Sequence, residues 1–275
     1  MNIPTQAALL RPGPSPLPRL FSLISLLALL VLALTACSSP PPTGLERVKK
    51  AGKISFAMSG GYPPFNFYDT TNTLTGFDVD VAAEVAKRLG VTSAPVTTDW
   101  SGIIEGLRSG AYDGILGSMA VTEERGKVVD FSTPYYYSGA QLMVRKGAPF
   151  ATPADLAGKT IGVVTGTTFA DDAKALGAGE VRLYKDDNQT LMELSTGVVD
   201  GVITDRVVGV TAMQGGKFDV TALGSPLRRE DIAVAFRKGD DTLRAEVDRI
   251  LAAMHADGTL SRLSEKWLHS DITKR

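Results

Sequence analysis

Short apolar runs alternate with amphipathic stretches of helical period from about residue 54 to residue 255, and this alternation constrains the fold more than any other feature of the chain. The strand candidates are Ile54–Met58, Pro95–Thr98, Gly114–Ser118, Gln141–Val144, Thr160–Val164, Val181–Leu183, Val199–Ile203 and Ile232–Phe236. Most are continuously apolar, as strands covered on both faces are. The helix candidates are Asp78–Leu89, Ser101–Ser109, Phe169–Ala175, Asn188–Ser195, Arg206–Met213 and Asp241–His255. In the first, Val79, Ala82, Ala86 and Leu89 share one face, while Asp80, Glu84, Lys87 and Arg88 lie elsewhere. Glu84 and Arg88 form an i,i+4 pair that reads as a solvated face. Strand–helix alternation predicts an α/β architecture with helices on both faces of the sheet, built either as one large sheet or as two smaller lobes.

A chain of 275 residues that is 44% apolar can bury a core of ordinary size. Its net charge of −1 argues against a nucleic-acid binder, which carries a basic excess. The single cysteine, Cys37, excludes an intrachain disulfide and a thiol-rich zinc site. His255 and His269 are the only histidines and both lie near the C-terminus, which leaves little basis for triad chemistry or a histidine metal site. No metal and no cofactor is expected.

Cys37 has a setting of its own. Residues 1–19 hold Arg11 and Arg19 and no acid, residues 20–36 are apolar and uncharged, and Leu34-Thr35-Ala36 precede the cysteine. A basic region, an apolar region and small residues before a cleavage point describe a secretory signal. The alternative, a retained membrane helix over 20–36, sits at the short limit for spanning. The run resembles a bacterial lipobox, which implies cleavage before Cys37 and lipidation of that residue; two or more acyl chains anchor stably where one does not. The tether is Cys37 with residues 38–43, SSPPPT, which read as extended chain. The expectation is a signal peptide over 1–36 and a folded body from residue 44, held by its lipid outside the cytoplasmic membrane.

Four regions, in this order, carry a wider resemblance: YPPFNF at 62–67, GFDVDVAAEVAKRL at 76–89, DGILGSMAVTEER at 113–125, and GKTIGVVTGTTF at 158–169 followed by GVVDGVITDR at 197–206. With them the body, from about Leu45 to about Leu268, resembles the bacterial extracellular solute-binding proteins of the polar amino-acid family, the receptors of ABC importers. The 76–89 stretch fits that family's signature at every position, and AMHADGTLSRLSEKW at 253–267 looks like its closing helices. The resemblance implies a two-lobe periplasmic-binding-protein-like fold with a hinge and a ligand cleft between the lobes. Lobe one would be 44–137 plus 232–275 and lobe two 141–228, with crossing segments near Tyr137–Ala140 and Arg229–Asp231.

A free amino acid presents a carboxylate, an ammonium and a side chain, and each buried charge needs a partner. Carried over position by position, Arg125 matches the arginine that grips the ligand carboxylate, a task suited to the planar fork of a guanidinium. Read structurally, it is a surface arginine of the Glu123–Arg125 turn. Asp205 matches the aspartate that holds the α-ammonium, and it also suits the N-cap of the helix at 206–213. Gly166-Thr167-Thr168 lies between a buried strand and a helix, where free N–H groups favour an anion. Thr168 matches the position that donates to the carboxylate; a plain turn with a threonine cap is the structural alternative. Gly117, Ser118 and Ala120 match a segment that offers a carbonyl to the ammonium and an N–H to the carboxylate, and Ala120 lacks the hydroxyl often found there. Tyr62 and Trp100 match the aromatic pair around the ligand side chain, with Phe65 packing beneath Tyr62 and Trp267 in the core. Ser59 stands where members taking glutamine or basic amino acids often place an acid. That favours a polar uncharged ligand side chain and keeps arginine-like ligands open. Asp99 and Glu105 are near in sequence, and the sequence does not aim them.

The expected protein is a lipid-anchored, extracytoplasmic monomer that binds an L-amino acid by hinge closure and delivers it to an ABC permease. It is expected neither to be an enzyme nor to bind nucleic acid. The alternative is an enzyme like the cyclohexadienyl or arogenate dehydratases, which share the fold and need a general acid. Those enzymes carry a glutamate just after the glycine-rich turn, where this chain has Phe169 and no acid before Asp171.

Overall fold

The computed structural model describes residues 43–275. The expected signal over 1–36, Cys37 and the tether up to residue 42 lie outside the described residues. Thr43, which composition assigns to the tether, instead opens the folded body. Its side chain accepts from the Glu46 N–H, and Glu46 reaches back to the Thr43 N–H, a capping box on the helix Gly44–Ala51. That helix buries only Gly44 and Val48, so no apolar stripe announces it.

The described chain is α/β. A nine-stranded sheet runs in the order Glu180–Tyr184, Thr160–Val164, Gly201–Asp205, Val129–Arg145, Arg228–Arg237, Gly114–Ile115, Phe56–Met58 and Val96–Thr97, with Val220–Ala222 pairing beside this path on Val129–Arg145. Pairing is parallel toward both ends of the path and antiparallel where Val129–Arg145 and Arg228–Arg237 lie together. Parallel neighbours need crossover connections, and the helices Phe77–Leu89, Ile103–Ser109, Phe169–Ala175 and Asp187–Thr196 supply them.

Separate hydrophobic cores lie at the two ends of the antiparallel pair. Tyr135, Tyr136, Ile232 and Val234 pack with Phe77, Val81 and Leu251 at one end; Ala140, Leu142 and Val144 pack with Ile161, Val163 and Ile203 at the other. Between the cores Tyr137 pairs with Asp231, Ser138 with Glu230, Gly139 with Arg229 and Ala140 with Arg228. The fold has two lobes, and one ladder of strand hydrogen bonds runs through the crossing.

Several elements depart from the sequence expectation. Gln141–Val144 is the end of a strand that begins at Val129, where Pro134, Ser138 and Gly139 interrupt the apolar pattern. Ile232–Phe236 extends back to Arg228 through charged residues at the crossing. Gly114–Ser118 stops at Ile115, and Ser118 takes φ +63°. Val199–Ile203 shifts to Gly201–Asp205. The small sheet of Gly61–Tyr62, Asn66–Tyr68 and Leu74–Thr75 has no apolar run to reveal it. In the helix Phe77–Leu89 the buried stripe is Phe77, Val81, Ala82, Val85, Ala86 and Leu89, and Val79 lies outside it. Each buried valine there contributes about 1.5–3 kcal/mol. The Glu84–Arg88 pair is more than a solvated face: Arg88 meets Glu84 and Asp257, both at 2.8 Å, and donates to Thr259, tying this helix to the helix Thr259–Leu268. Trp267 is half-buried rather than core, with its indole N–H donating to Asp80 at 2.7 Å.

Candidate functional site

Ser59, Tyr62, Trp100, Gly117, Ser118, Ala120, Arg125, Thr167, Thr168 and Asp205 all line one cavity between the lobes, with about 570 Å³ of space including its open mouth. Arg125 closes one side. Thr122 caps its short helical turn by accepting from the Arg125 N–H at 3.1 Å, which fixes the backbone. The side chain turns inward: Nη1 donates to the Ala120 carbonyl at 2.8 Å and Nη2 to the Gly166 carbonyl at 3.1 Å. The guanidinium lies 5.9 Å from the Trp100 ring centre. Burial lowers its pKa from the usual range, with Glu230 pulling the other way. Arg125 is thus a cleft residue, and its hydrogen bonds end on carbonyl oxygens.

Asp205 ends the strand Gly201–Asp205 and caps the helix Arg206–Gln214, accepting from the Val207 N–H at 2.7 Å. It is 2% exposed. Burial pushes its carboxyl up to about 7, and the charge of Glu230 adds to that rise. The cap is real, and the same residue lines the cavity.

Two stacked contacts build the aromatic wall. Phe65 is fully buried, stacked on Tyr62 at 5.5 Å and on Tyr136 at 5.1 Å. Burial raises the Tyr62 hydroxyl well above its ordinary value, and the charges of Asp205 and Asp187 act in the same direction. On the floor, Ser59 Oγ donates to Asn66 Oδ1 at 3.1 Å and Ser118 Oγ to Asp78 at 2.8 Å. Gly117 approaches Met58 so closely that a Cβ would lie 3.0 Å from the Met58 Cα.

The lobes meet across the cleft. Gly166, at φ +79°, passes Ser101 so closely that a Cβ would lie 3.3 Å from the Ser101 Cα. Lys185 pairs with Asp99 at 3.1 Å, both well exposed. Asp99 is thereby aimed at the opposite lobe, whereas Glu105 pairs with Arg108 on its own helix at 2.7 Å. Thr167 donates its hydroxyl to the Val164 carbonyl at 2.7 Å. Thr168 starts the helix Phe169–Ala175 without a side-chain cap; its hydroxyl donates to Glu230 at 2.9 Å.

Glu230 is a buried carboxylate in the cavity wall that sequence reasoning missed. Arg228 donates to it at 2.8 Å and makes a fork with both oxygens of Asp172, also at 2.8 Å. Lys185, Asp186 and Asp187 line the cavity too. Asp186 caps the helix Asp187–Thr196 through the Gln189 N–H at 2.9 Å, and Asp187 accepts from the Thr204 hydroxyl at 2.5 Å. Burial pushes Asp187 to about 6. Asp186 lies just before the helix predicted over Asn188–Ser195, and nothing in the sequence aimed it at the cleft. Four carboxylates and two cations therefore surround the cavity. Among the described residues no group of His, Cys, Asp and Glu is arranged to hold a metal ion. Such a lining suits a small molecule carrying both signs of charge.

The sequence profile of the bacterial extracellular solute-binding proteins, family 3, matches residues 54–270. The chain is 36% identical over 233 residues to the L-cystine-binding protein TcyJ of Escherichia coli (strain K12), covering 84% of this chain and 88% of that protein. It is 31% identical over 264 residues to an L-arginine-binding protein of Pseudomonas aeruginosa, covering 91% of this chain and 97% of that one. Among solved structures, the ancestral amino acid-binding protein AncCDT-1, described as a precursor of cyclohexadienyl dehydratase, superposes with a TM-score of 0.76 at 33% identity, covering 82% of this chain and 99% of that one.

Proposed function

The chain belongs to the bacterial extracellular solute-binding proteins, family 3, amino-acid receptors of ABC importers that act outside the cytoplasm, and from that premise we propose that it binds a free L-amino acid with a polar side chain between its lobes. One observation carries the reading: the Arg125 guanidinium and the buried Asp205 carboxylate line the same small cavity between Tyr62 and Trp100. A zwitterion needs one cation and one anion at a single point, and burying it without both would be costly. Arg125 takes the α-carboxylate and Asp205 the α-ammonium. The backbone around Gly117, Ala120 and Thr168 supplies the remaining hydrogen bonds, and Tyr62, Trp100 and Ser59 face the side chain.

The ligand shifts the hinge from open to closed because it meets both walls only in the closed form. The lobes are residues 44–137 plus 232–275 and residues 141–228, and the closed form is what the membrane permease recognises. Cys37 carries the lipid that holds the protein at the membrane as a monomer. An uncharged polar side chain fits Ser59, because Asp186 and Asp187 already serve the helix cap and Thr204. Relatives named for cystine and for arginine bracket the candidates.

The dehydratase reading has one point in its favour, the second buried acid Glu230 in the cavity wall. That acid is already engaged, by Arg228 at 2.8 Å and by the Thr168 hydroxyl at 2.9 Å, and a general acid must be free to give its proton to the leaving group. A thermal-shift and calorimetric screen with the twenty L-amino acids, L-ornithine and L-cystine tests the receptor reading, since a ligand of the folded state raises the melting temperature. Binding of at least one of them supports it. Turnover of prephenate or arogenate, or binding of none, contradicts it.

A further inference from the structure

Asp78 lies in the first turn of the helix Phe77–Leu89 with no exposed surface. Three donors converge on its carboxylate: Tyr135 Oη on Oδ1 at 2.6 Å, and Asn66 Nδ2 and Ser118 Oγ on Oδ2 at 2.7 and 2.8 Å. Burial nevertheless raises its pKa, and no lysine or arginine contributes to holding it down. A buried acid without a cation is costly to keep, so its surroundings call for an explanation.

Every donor leads to the cleft. Asn66 uses its other face to accept from Ser59 Oγ at 3.1 Å and from the Gly60 N–H at 2.9 Å, and the Gly61 N–H donates to Ser59 Oγ at 3.3 Å. Ser118 is held twice, by its hydroxyl on Asp78 and by its N–H on the Tyr135 hydroxyl at 3.1 Å, which itself ends on Asp78. Ser118 sits at φ +63°, a region disfavoured for a residue with a side chain. The stretch Ser59–Gly61 and Ser118 are separate parts of the cavity floor, and the only group joined to both through these bonds is the Asp78 carboxylate.

We propose that Asp78 is a positioning residue for the ligand cleft, its carboxylate fixing Ser59–Gly61 through Asn66 and holding Ser118 in its left-handed backbone conformation. That these floor segments meet an amino acid rests on the function proposed above; the hub itself does not. A carboxylate suits the task because it accepts at every face. An asparagine at this position presents one oxygen and two N–H groups to the three donors. If its N–H faces Asn66, that residue must flip, and its amide N–H then meets the Gly60 N–H.

The test uses the full protein, with Asp78→Asn and Asp78→Asn/Ser118→Gly compared with the parent. Amide hydrogen exchange reads the hub without any ligand. Calorimetry with the twenty L-amino acids, L-ornithine and L-cystine reads the cleft. In Asp78→Asn the Ser118 and Gly60 amides are expected to exchange at least roughly tenfold faster while the sheet amides keep their protection, and the affinity of the tightest ligand in the panel falls at least roughly tenfold. Glycine adopts positive φ freely, so adding Ser118→Gly recovers much of that affinity. Unchanged exchange at Ser118 and Gly60 overturns the proposal. So does a loss of protection spread evenly over the chain with no recovery from Ser118→Gly, because Asp78 then serves the fold at large. If the parent binds nothing in the panel, the proposed function fails and the exchange data still decide the hub. Should Asp78→Asn fail to fold, Tyr135→Phe removes one donor to Asp78 and the acceptor of the Ser118 N–H while keeping the ring; unaltered Ser118 exchange there overturns the proposal equally.

Discussion

The Arg125 guanidinium reaches across the cleft to donate to the carbonyl oxygen of Gly166, 3.1 Å away. Arg125 follows the turn after Ala120 on one wall, and Gly166 belongs to the Gly-Thr-Thr turn on the other. The cation assigned to the ligand carboxylate therefore also touches the opposite lobe. Under the proposed function, binding and closure would share one side chain, which would tie ligand affinity to the closed form.

Gly166→Ala should separate strain from closure. An L-residue at φ +79° costs about 1–2 kcal/mol, and that loss lowers thermal stability with or without ligand. The added methyl would also lie 3.3 Å from the Ser101 Cα, a contact made only when the lobes meet. The variant should bind its amino acid roughly tenfold more weakly, and small-angle scattering should register a smaller ligand-induced contraction. A variant that contracts and binds like the parent contradicts this role for the turn.

Acid pH should stabilise the unliganded protein before it destabilises it. Asp205 titrates near 7 in the fold because it is buried, against about 4 in an unfolded chain. Between those values the folded state holds a proton that the unfolded state has released, so stability falls as pH rises through the window. Asp78 and Asp187, both pushed to about 6 by burial, act the same way over a narrower range. Asp257, held at about 2 by Thr259 and Arg88, acts oppositely, and only below about pH 4. The melting temperature should rise as pH is lowered from about 7 to about 5. A ligand ammonium requires ionised Asp205, so binding should release a proton and weaken below about pH 7. Calorimetry near pH 6 in buffers of different ionisation enthalpy measures that release, and Asp205→Asn should abolish it. Binding with no proton release would remove Asp205 as the ammonium partner.

Lys185→Ala should matter little. Its pair with Asp99 is 3.1 Å long but about 70% exposed on both sides, and such pairs contribute about 0.2–1 kcal/mol. Affinity should fall less than about fivefold, and less still at high salt. A drop of two orders of magnitude would mean that Lys185 contacts the ligand itself.

The helix Phe77–Leu89 and the strand Thr160–Val164 were legible because their apolar patterns are local. Thr167 and Thr168 line the cavity with Ser59, Tyr62, Trp100, Gly117, Ser118, Ala120, Arg125 and Asp205; the resemblance carried them there through motifs that each span a few neighbouring positions. Glu230 was invisible for the opposite reason. It lies in a charged run, Arg228 to Asp231, that pairs with Tyr137–Ala140 some ninety residues earlier in the chain, and of the four only Glu230 is buried. Lys185 and Asp186 carry no local signal either, and only the approach of the other lobe, with Asp99 and Gly61, brings them to the cleft. Thr168 was matched to a donor for the ligand carboxylate, and its hydroxyl donates to Glu230 at 2.9 Å, a partner that no local spacing could supply.

Arg125 is proposed to take the carboxylate of a free amino acid. Calorimetric titration of Arg125→Ala beside the parent protein, with whichever of the twenty L-amino acids, L-ornithine or L-cystine binds the parent, measures it directly. Leaving a buried ligand carboxylate without its cation costs about 3–5 kcal/mol, so the variant should lose two or more orders of magnitude in affinity while keeping its fold. An affinity equal to that of the parent would contradict the account.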